Sequence, residues 1–297
     1  MFERVGFIGL GRMGQRMANR LLDAGLQLTV YDVDAEKSSV MGRRGAQVAA
    51  LPRAVAAEAE AVITSVTDGQ AVLDALTGPD GLLAGASPEL LFIEMSTIGV
   101  DDSRQVASAC EAAAVRYVRS PVLGTIDAAA GGTLNALISG ARNAVDDALP
   151  LLAHLTAQHT YLGPAEEGRV VKLLMNSMLA VNMASFAEAL VAGEKAGMDV
   201  DVLLEVMTGS ATASRATRGA AEMVRAREFE PRLSVALMLK DLRLFQEMAS
   251  DTHTPVPVTA ATRQLYEAVV SMGWGDLDRA AVVLLLERLS GIDQRHV

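Results

Sequence analysis

The chain has a single cysteine, Cys110, which rules out a disulfide within it and leaves no cysteine set for zinc. That cysteine reads as a small apolar filler in a helix. Aromatic residues make up only 4% of the 297 positions, so alanine, leucine, valine and 14 methionines must fill the core of a sequence that is 51% hydrophobic. At this length two domains are the natural expectation. Apolar runs are short: none reaches the roughly 20 residues of a spanning helix without a charge or glycine break. No charged leader precedes an apolar stretch, since Val5 already opens a strand. No secretory signal is therefore expected, and the cytoplasm is the expected compartment. Basic clusters are missing too. With 26 basic against 36 acidic residues and a net charge of −10, neither nucleic acid nor an anionic membrane is an expected partner. The four histidines, His154, His159, His253 and His296, lack metal-ligand spacing, so no metal is expected. No nucleophile elbow or phosphate-binding P-loop occurs.

What the sequence does carry is concentrated at its start. Val5-Gly6-Phe7-Ile8 is a short apolar strand, Gly9-Leu10-Gly11-Arg12-Met13-Gly14 is a G-x-G-x-x-G turn, and Leu28-Thr29-Val30-Tyr31 is a second strand tipped by Asp32. The three glycines suit a tight strand-to-helix turn, close backbone approach to a pyrophosphate, and close helix–strand packing. The helix that follows aims free N–H groups and a partial positive charge at that pyrophosphate. Asp32, 18 residues beyond Gly14, is placed to accept the hydroxyls of an adenosine ribose. The set points to a nicotinamide or flavin dinucleotide. A carboxylate at this position repels a 2′-phosphate, so NAD is expected over NADP; Arg43 and Arg44 read as surface residues of the next helix.

Two regimes follow along the chain. Apolar strands at 5–8, 28–31, 61–65, 90–94, 116–119, 134–139 and 159–162 alternate with alanine-rich helical patterns such as 13–24 and 101–113. Such alternation predicts a parallel sheet covered by helices on both faces. After Gly163-Pro164 the strand signals stop. One long helix is predicted over 166–196, a second from Asp199 or Asp201 to Gly209, and others around 215–227, 234–250, 256–272 and 276–290. The expected domains are 1–163 and 164–297, the second all helix.

In a doubly wound sheet the ligand lies outside the carboxyl ends of the strands. Ser96 and Thr97 sit on such an end, with two readings open: groups facing the nicotinamide, or mere support for the turn. Leu123-Gly124-Thr125, after Arg119-Ser120-Pro121-Val122, either offers backbone N–H groups to a carboxylate or is an ordinary strand-to-helix turn. Lysine usage is more pointed. There are four, Lys37, Lys172, Lys195 and Lys240, against 22 arginines. Arginine cannot give up its proton, whereas a desolvated lysine can. Lys172 lies among apolar neighbours on the long helix, with Asn176 one turn on along the same face. Together they could hold a hydroxyl or carbonyl oxygen and exchange a proton with it; alternatively Lys172 snorkels to solvent. Lys240-Asp241 reads at first as a solvated pair.

At this point the motifs resemble those of the β-hydroxyacid dehydrogenases. Phe7 to Ala18 is similar to the N-terminal signature of that family, Ser96-Thr97-Ile98 to its second motif, and Pro121 to Thr125 with Gly132-Thr133-Leu134 to its substrate loop. Gly168 to Asn176 matches its G-x-x-x-K-x-x-x-N, and Lys240-Asp241-Leu242 its late cofactor-side motif. The resemblance spans nearly the whole chain, in order. It implies an α/β Rossmann domain with a doubly wound, mostly parallel sheet, joined by a long helix to an all-α domain that assembles as dimers or tetramers. It implies reversible hydride transfer on a small 3-hydroxy acid, with Lys172 as acid–base residue and Asn176 beside it. Gly9, Leu10, Gly11, Arg12, Met13, Gly14, Asp32, Val66, Thr97 and Lys240 are the implied NAD contacts, and Ser96, Leu123, Gly124, Thr125, Lys172 and Asn176 the implied substrate contacts.

The chain also departs from the pattern. Leu123, Gly124 and Thr125 stand where serine and two glycines are frequent, Arg119 where an aspartate is usual, and Met175 where the first of two asparagines is frequent. Arg16 and Arg20 replace the usual proline and asparagine. Leu123 makes the substrate corner more apolar, so alkyl-substituted or unsubstituted acids are expected over polyhydroxylated ones. Arg119 is either a second anion contact or a structural charge at the strand edge. The alternatives are an NADP(H)-dependent semialdehyde, glyoxylate or imine reductase, and a dinucleotide-binding protein without turnover. The lysine at 172 disfavours the imine reductases.

Overall fold

Val62-Ile63, Phe92-Ile93 and Phe7-Ile8 place apolar side chains on both faces of their strands, which suits a sheet covered on both sides. The computed structural model, which describes residues 2–292, places them at the centre of one nine-stranded sheet. Its strands and helices run β1 (Arg4–Ile8), α1 (Arg12–Asp23), β2 (Gln27–Tyr31), α2 (Ala35–Arg43), β3 (Gln47–Val48), α3 (Pro52–Ala56), β4 (Ala61–Thr64), α4 (Gly69–Leu76), β5 (Leu91–Glu94), α5 (Val100–Ala112), β6 (Arg116–Arg119), β7 (Val122–Leu123), α6 (Ile126–Gly131), β8 (Leu134–Gly140), α7 (Arg142–Leu152) and β9 (Thr156–Gly163). The strand order is β3-β2-β1-β4-β5-β6-β8-β7, with β9 beside β8. Strands β1 to β6 pair in parallel; β8 runs antiparallel to β6 and β7 and parallel to β9.

Alternate residues face opposite ways, so each central strand feeds two cores. Phe7, Ile63 and Ile93 join one cluster with α1 and α7, whereas Ile8, Val62 and Phe92 join the other with Val55, Val72 and Val106. Cys110 is buried in this second cluster, as an apolar filler would be, and burial pushes its thiol up to about 12. Two short strands, β3 and β7, escape sequence reading because two residues carry no periodicity. The ladder from Val122 to Ala136 and from Leu123 to Asn135 fixes a segment that reads in sequence as a loop.

The second regime is helical: α8 (Glu167–Lys195), α9 (Val200–Gly209), α10 (Arg215–Ala226), α11 (Val235–Asp251), α12 (Pro257–Ser271) and α13 (Val282–Leu289). Caps set the starts. Asp199, Ser214 and Ser234 accept from backbone N–H groups three residues on, and Pro257 opens α12. The predicted helix from 276 begins later than expected. Asp278 accepts from the backbone N–H groups of Arg232, Leu233 and Ala280, which holds residues 276–278 out of the helix and leaves a single 3-10 turn before α13.

The chain divides into two compact units, Met1–Lys172 and Leu173–Val297, with the first residues of α8 in the first. Helix α8 is long and apolar enough to cross a bilayer by composition alone. Its Ala180, Met183, Ala187 and Leu190 instead form part of the core of the helical unit, packed with Leu204, Met238, Tyr266 and Val282–Leu285. His296 lies outside the described residues. Among the described residues no group of His, Cys, Asp and Glu could hold a metal ion.

Candidate active site

The glycine turn has a different steric reason at each glycine. Gly9 has φ +93°, and a Cβ on it would lie 2.3 Å from the carbonyl oxygen of Ser65 and 2.8 Å from Val66. A Cβ on Gly14 would lie 2.0 Å from the carbonyl oxygen of Gly9. A Cβ on Gly11, by contrast, would meet nothing within 4 Å. Two glycines therefore let the turn close, and the third leaves open space above it. Gly11 caps α1 without a side chain, and no acidic residue stands in its first turn, so neither competes with an anion for the helix N–H groups. Arg12 is exposed at the start of α1, Met13 half-buried and Leu10 buried.

Asp32 follows β2. Its Oδ2 accepts from the N–H of Leu10 at 2.6 Å, its Oδ1 from the N–H of Asp34 at 2.8 Å, and Lys37 Nζ lies 3.9 Å away. The carboxylate thus braces the glycine turn and keeps lone pairs for ribose hydroxyls. Arg44 pairs with Asp23 and Arg43 ends α2 on the surface. A dinucleotide fits these residues: an uncapped helix start above an open glycine, beside an acceptor-only side chain.

At the ends of β4 and β5, the N–H of Val66 donates to Ser96 Oγ at 2.8 Å. Ser96 is buried, and Thr97 beside it is half-buried. The Ser96 hydroxyl therefore supports the turn and retains one O–H to donate. Glu94, the last residue of β5, is fully buried; its Oε1 accepts from the Ser96 N–H at 2.6 Å, and its Oε2 pairs with the buried Arg169 of α8. Arg169 Nη1 also donates to the Ser96 carbonyl at 2.6 Å. Burial opposes the guanidinium charge, but Glu94 and Tyr117 hold it more firmly protonated than usual, while burial pushes the Tyr117 hydroxyl up. Arg119 pairs with Glu166 at 2.6 Å and lies over the Tyr117 ring at 4.6 Å. With both side chains largely buried, the structural reading of Arg119 accounts for what it touches.

Lys172 lies three residues beyond Arg169, one helical turn on, and its Nζ donates to the Val122 carbonyl at 2.9 Å. The lysine is thereby fastened to the strand that leads into Leu123, Gly124 and Thr125. Gly124 has φ +146°, and a Cβ there would lie 2.6 Å from Leu134, so the loop demands glycine. Thr125 caps α6 through its hydroxyl.

In the helical unit, Asn176 Nδ2 donates to Asp241 Oδ2 at 2.5 Å, both side chains buried. Lys240 Nζ stands 3.2 Å from Asp241 Oδ1, an ion pair by distance without hydrogen-bond geometry. The solvated-pair reading of Lys240-Asp241 is thus corrected: Asp241 is 3% exposed because the apolar face of α11 turns it inward. Sequence reasoning missed Asp241, Glu94 and Arg169 as partners. Their signals were present, as acids or bases ending or interrupting otherwise apolar stretches.

A family model described as the NAD binding domain of 6-phosphogluconate dehydrogenase matches residues 4–163, and one described as NAD-binding of NADP-dependent 3-hydroxyisobutyrate dehydrogenase matches residues 167–286. The 3-sulfolactaldehyde reductase of Escherichia coli is 34% identical over 280 residues, 94% of each chain. The NAD-dependent L-serine dehydrogenase of Pseudomonas aeruginosa is 31% identical over 296 residues, covering 97% of this chain and 99% of its own. The solved structure of Mycobacterium tuberculosis 3-hydroxyisobutyrate dehydrogenase with L-serine superimposes with a TM-score of 0.87 at 30% identity, covering 96% of this chain and 99% of that one.

Proposed function

The chain belongs to the β-hydroxyacid dehydrogenase family, and on that basis we propose an NAD-dependent dehydrogenase of small, alkyl-substituted or unsubstituted 3-hydroxy acids with Lys172 as its acid–base residue. The activity common to the family is hydride transfer between a nicotinamide dinucleotide and a small 3-hydroxy acid or the matching semialdehyde. The finer assignment rests on this chain's own residues. The observation that carries it is the hydrogen bond from Lys172 Nζ to the Val122 carbonyl.

A neutral lysine amine has two N–H donors and one lone pair. With one N–H spent on Val122, the amine is oriented and its lone pair can accept the proton of a substrate hydroxyl. A nicotinamide dinucleotide held by the glycine turn and Asp32 would supply the hydride acceptor in oxidation and the hydride donor in reduction. In the reductive direction the lysine ammonium gives its proton back to the carbonyl oxygen. Asn176 is proposed to hold the reacting oxygen or the lysine in line. The backbone of Gly124 and Thr125, with the remaining O–H of Ser96, is proposed to receive the carboxylate, and Leu123 to favour an alkyl substituent. Gly9 to Gly14, Val66, Thr97 and Lys240 are the proposed cofactor contacts.

NAD is favoured over NADP because Asp32 and Asp34 stand at the end of β2 with Lys37 as the nearby cation. A homodimer or homotetramer is proposed from the exposed apolar Met178, Val202 and Val206 of the helical unit, and the cytoplasm is the proposed compartment. The test of function is absorbance of the reduced nicotinamide when purified protein meets NAD or NADP with 3-hydroxyisobutyrate, 3-hydroxypropionate, 4-hydroxybutyrate, glycerate or a sulfonate analogue. Cofactor binding without turnover on any of them would leave a binding protein instead.

A further inference from the structure

Four charged side chains, Glu94, Arg119, Glu166 and Arg169, gather around Tyr117 and Ser103 in the first unit. Glu94 and Arg119 end neighbouring strands in register, and Arg169 reaches Glu94 from α8. Stability alone does not call for them, since well-packed apolar residues of similar volume commonly do as well as a buried ion pair. What the pair does control is the backbone of Ser96. Glu94 accepts its N–H, Arg169 donates to its carbonyl, and Val66 donates to its hydroxyl. One turn further along α8, Lys172 is fastened to the Val122 carbonyl. A single helical turn therefore carries two ties, one to the Ser96–Thr97 loop and one to the strand leading into Leu123–Thr125.

We propose that Arg169, seated by Glu94, is a positioning residue that sets the distance between Lys172 and the Ser96–Thr97 loop. The inference rests on the reading of Lys172 as the acid–base residue. The planar guanidinium is essential to it: Nη2 serves the Glu94 carboxylate while Nη1 serves the Ser96 carbonyl, and a lysine ammonium cannot hold both in fixed geometry. A misplacement of about 1 Å between reacting groups costs on the order of 10²-fold in rate. The glycine turn and Asp32 are untouched by the tie, and of the proposed cofactor contacts only Val66 and Thr97 lie at it, so cofactor affinity should fall far less than turnover.

The experiment compares Arg169→Lys, which keeps the charge opposite Glu94, with the double variant Glu94→Gln/Arg169→Gln, which removes both charges and keeps hydrogen-bonding groups. NADH fluorescence titration counts binding sites and gives affinity, and kcat is expressed per site. The expected result is full site occupancy, NADH affinity within about threefold of wild type, and kcat per site down by roughly 10- to 100-fold in both variants. A merely structural Arg169 would lower the melting temperature and the number of sites while kcat per site and substrate KM stayed at wild type. That result overturns the proposal, as does failure of both variants to fold. Lys172→Ala is run alongside: if it keeps wild-type turnover, the acid–base reading has failed. If it is inactive while Arg169→Lys turns over normally, the positioning role alone has failed.

Discussion

The side-chain amide of Asn176 faces the carboxylate of Asp241 at 2.5 Å, both buried in the helical unit. A carboxylate only accepts, so the amide nitrogen must point at it and the amide oxygen must point away. Asp241 thereby decides which end of Asn176 is offered to anything else. Asp241→Ala strips the amide of that acceptor and should cost about 1–3 kcal/mol of stability. Asp241→Asn keeps a neutral acceptor and should recover most of the melting temperature. If Asn176 works in the reaction, both variants should lose turnover, with Asp241→Ala the worse; unchanged kcat in Asp241→Ala would remove Asn176 from the mechanism.

Lys172→Ala should lower kcat by roughly 10²- to 10⁴-fold, the usual worth of a positioned acid–base group. NADH binding, followed by fluorescence, should stay close to wild type because the glycine turn is untouched. Lys172→Arg should be as inactive as alanine, since arginine keeps its proton. A Lys172→Arg enzyme with substantial turnover would reduce Lys172 to a charge.

The dinucleotide half was legible because its signals are local. Gly9, Gly14 and Asp32 act within one strand–helix–strand unit, and the structure gives each a steric or hydrogen-bonding reason. The long helix could be read, from a largely apolar run without proline, to within a residue at each end. What could not be read was pairing across sequence. Arg169 and Glu94 stand 75 residues apart and Asn176 and Asp241 stand 65 apart, so no period links them. Lys240-Asp241 reads as a solvated pair, Asn176 reads as a neighbour of Lys172 with no acid beside it, and Glu94 and Arg169 have no reading of their own until the fold buries them. Strand β7 was invisible for a similar reason: Val122 and Leu123 are a strand only because β8 lies beside them.

Asp32 should do two things that mutation can separate. Losing its repulsion of a 2′-phosphate together with its ribose hydrogen bonds should narrow an NAD preference of about 2–3 kcal/mol, or roughly 30- to 150-fold. Losing its bond to the Leu10 N–H should weaken binding of both cofactors. Asp32→Ala should therefore raise the Kd for NADH more than that for NADPH. A wild-type enzyme that prefers NADP would overturn the assignment at once.

Cys110 gives the folded protein an alkaline weakness. Burial pushes its thiol from the ordinary 9.0 up to about 12, so above pH 9 the unfolded chain loses a proton that the folded one keeps. Its stabilising contribution is whole below pH 9 and is lost as pH climbs towards 12, by at most about 1.4 kcal/mol per pH unit. The buried hydroxyls of Tyr117 and Tyr266, both pushed up by burial, add to the same trend at higher pH. Melting temperatures measured between about pH 8 and 11 should fall steadily, and less steeply in Cys110→Ala. Identical slopes in the two proteins would place the thiol in contact with solvent.

Arg119 tests the substrate assignment from the opposite side. Were it an anion contact, a sulfonate or second carboxylate would depend on it more than a simple 3-hydroxy acid does. Its guanidinium is instead committed to Glu166 at 2.6 Å and to the Tyr117 ring, with 7% of the residue exposed. Arg119→Gln leaves Glu166 without its counter-charge and should lower the melting temperature. The ratio of kcat/KM for 3-hydroxyisobutyrate over a sulfonate analogue should nonetheless stay within about twofold, because both substrates lose equally from a disturbed scaffold. A selective tenfold loss for the sulfonate, about 1.4 kcal/mol, would bring Arg119 to the substrate and replace the apolar corner around Leu123 with a cationic one.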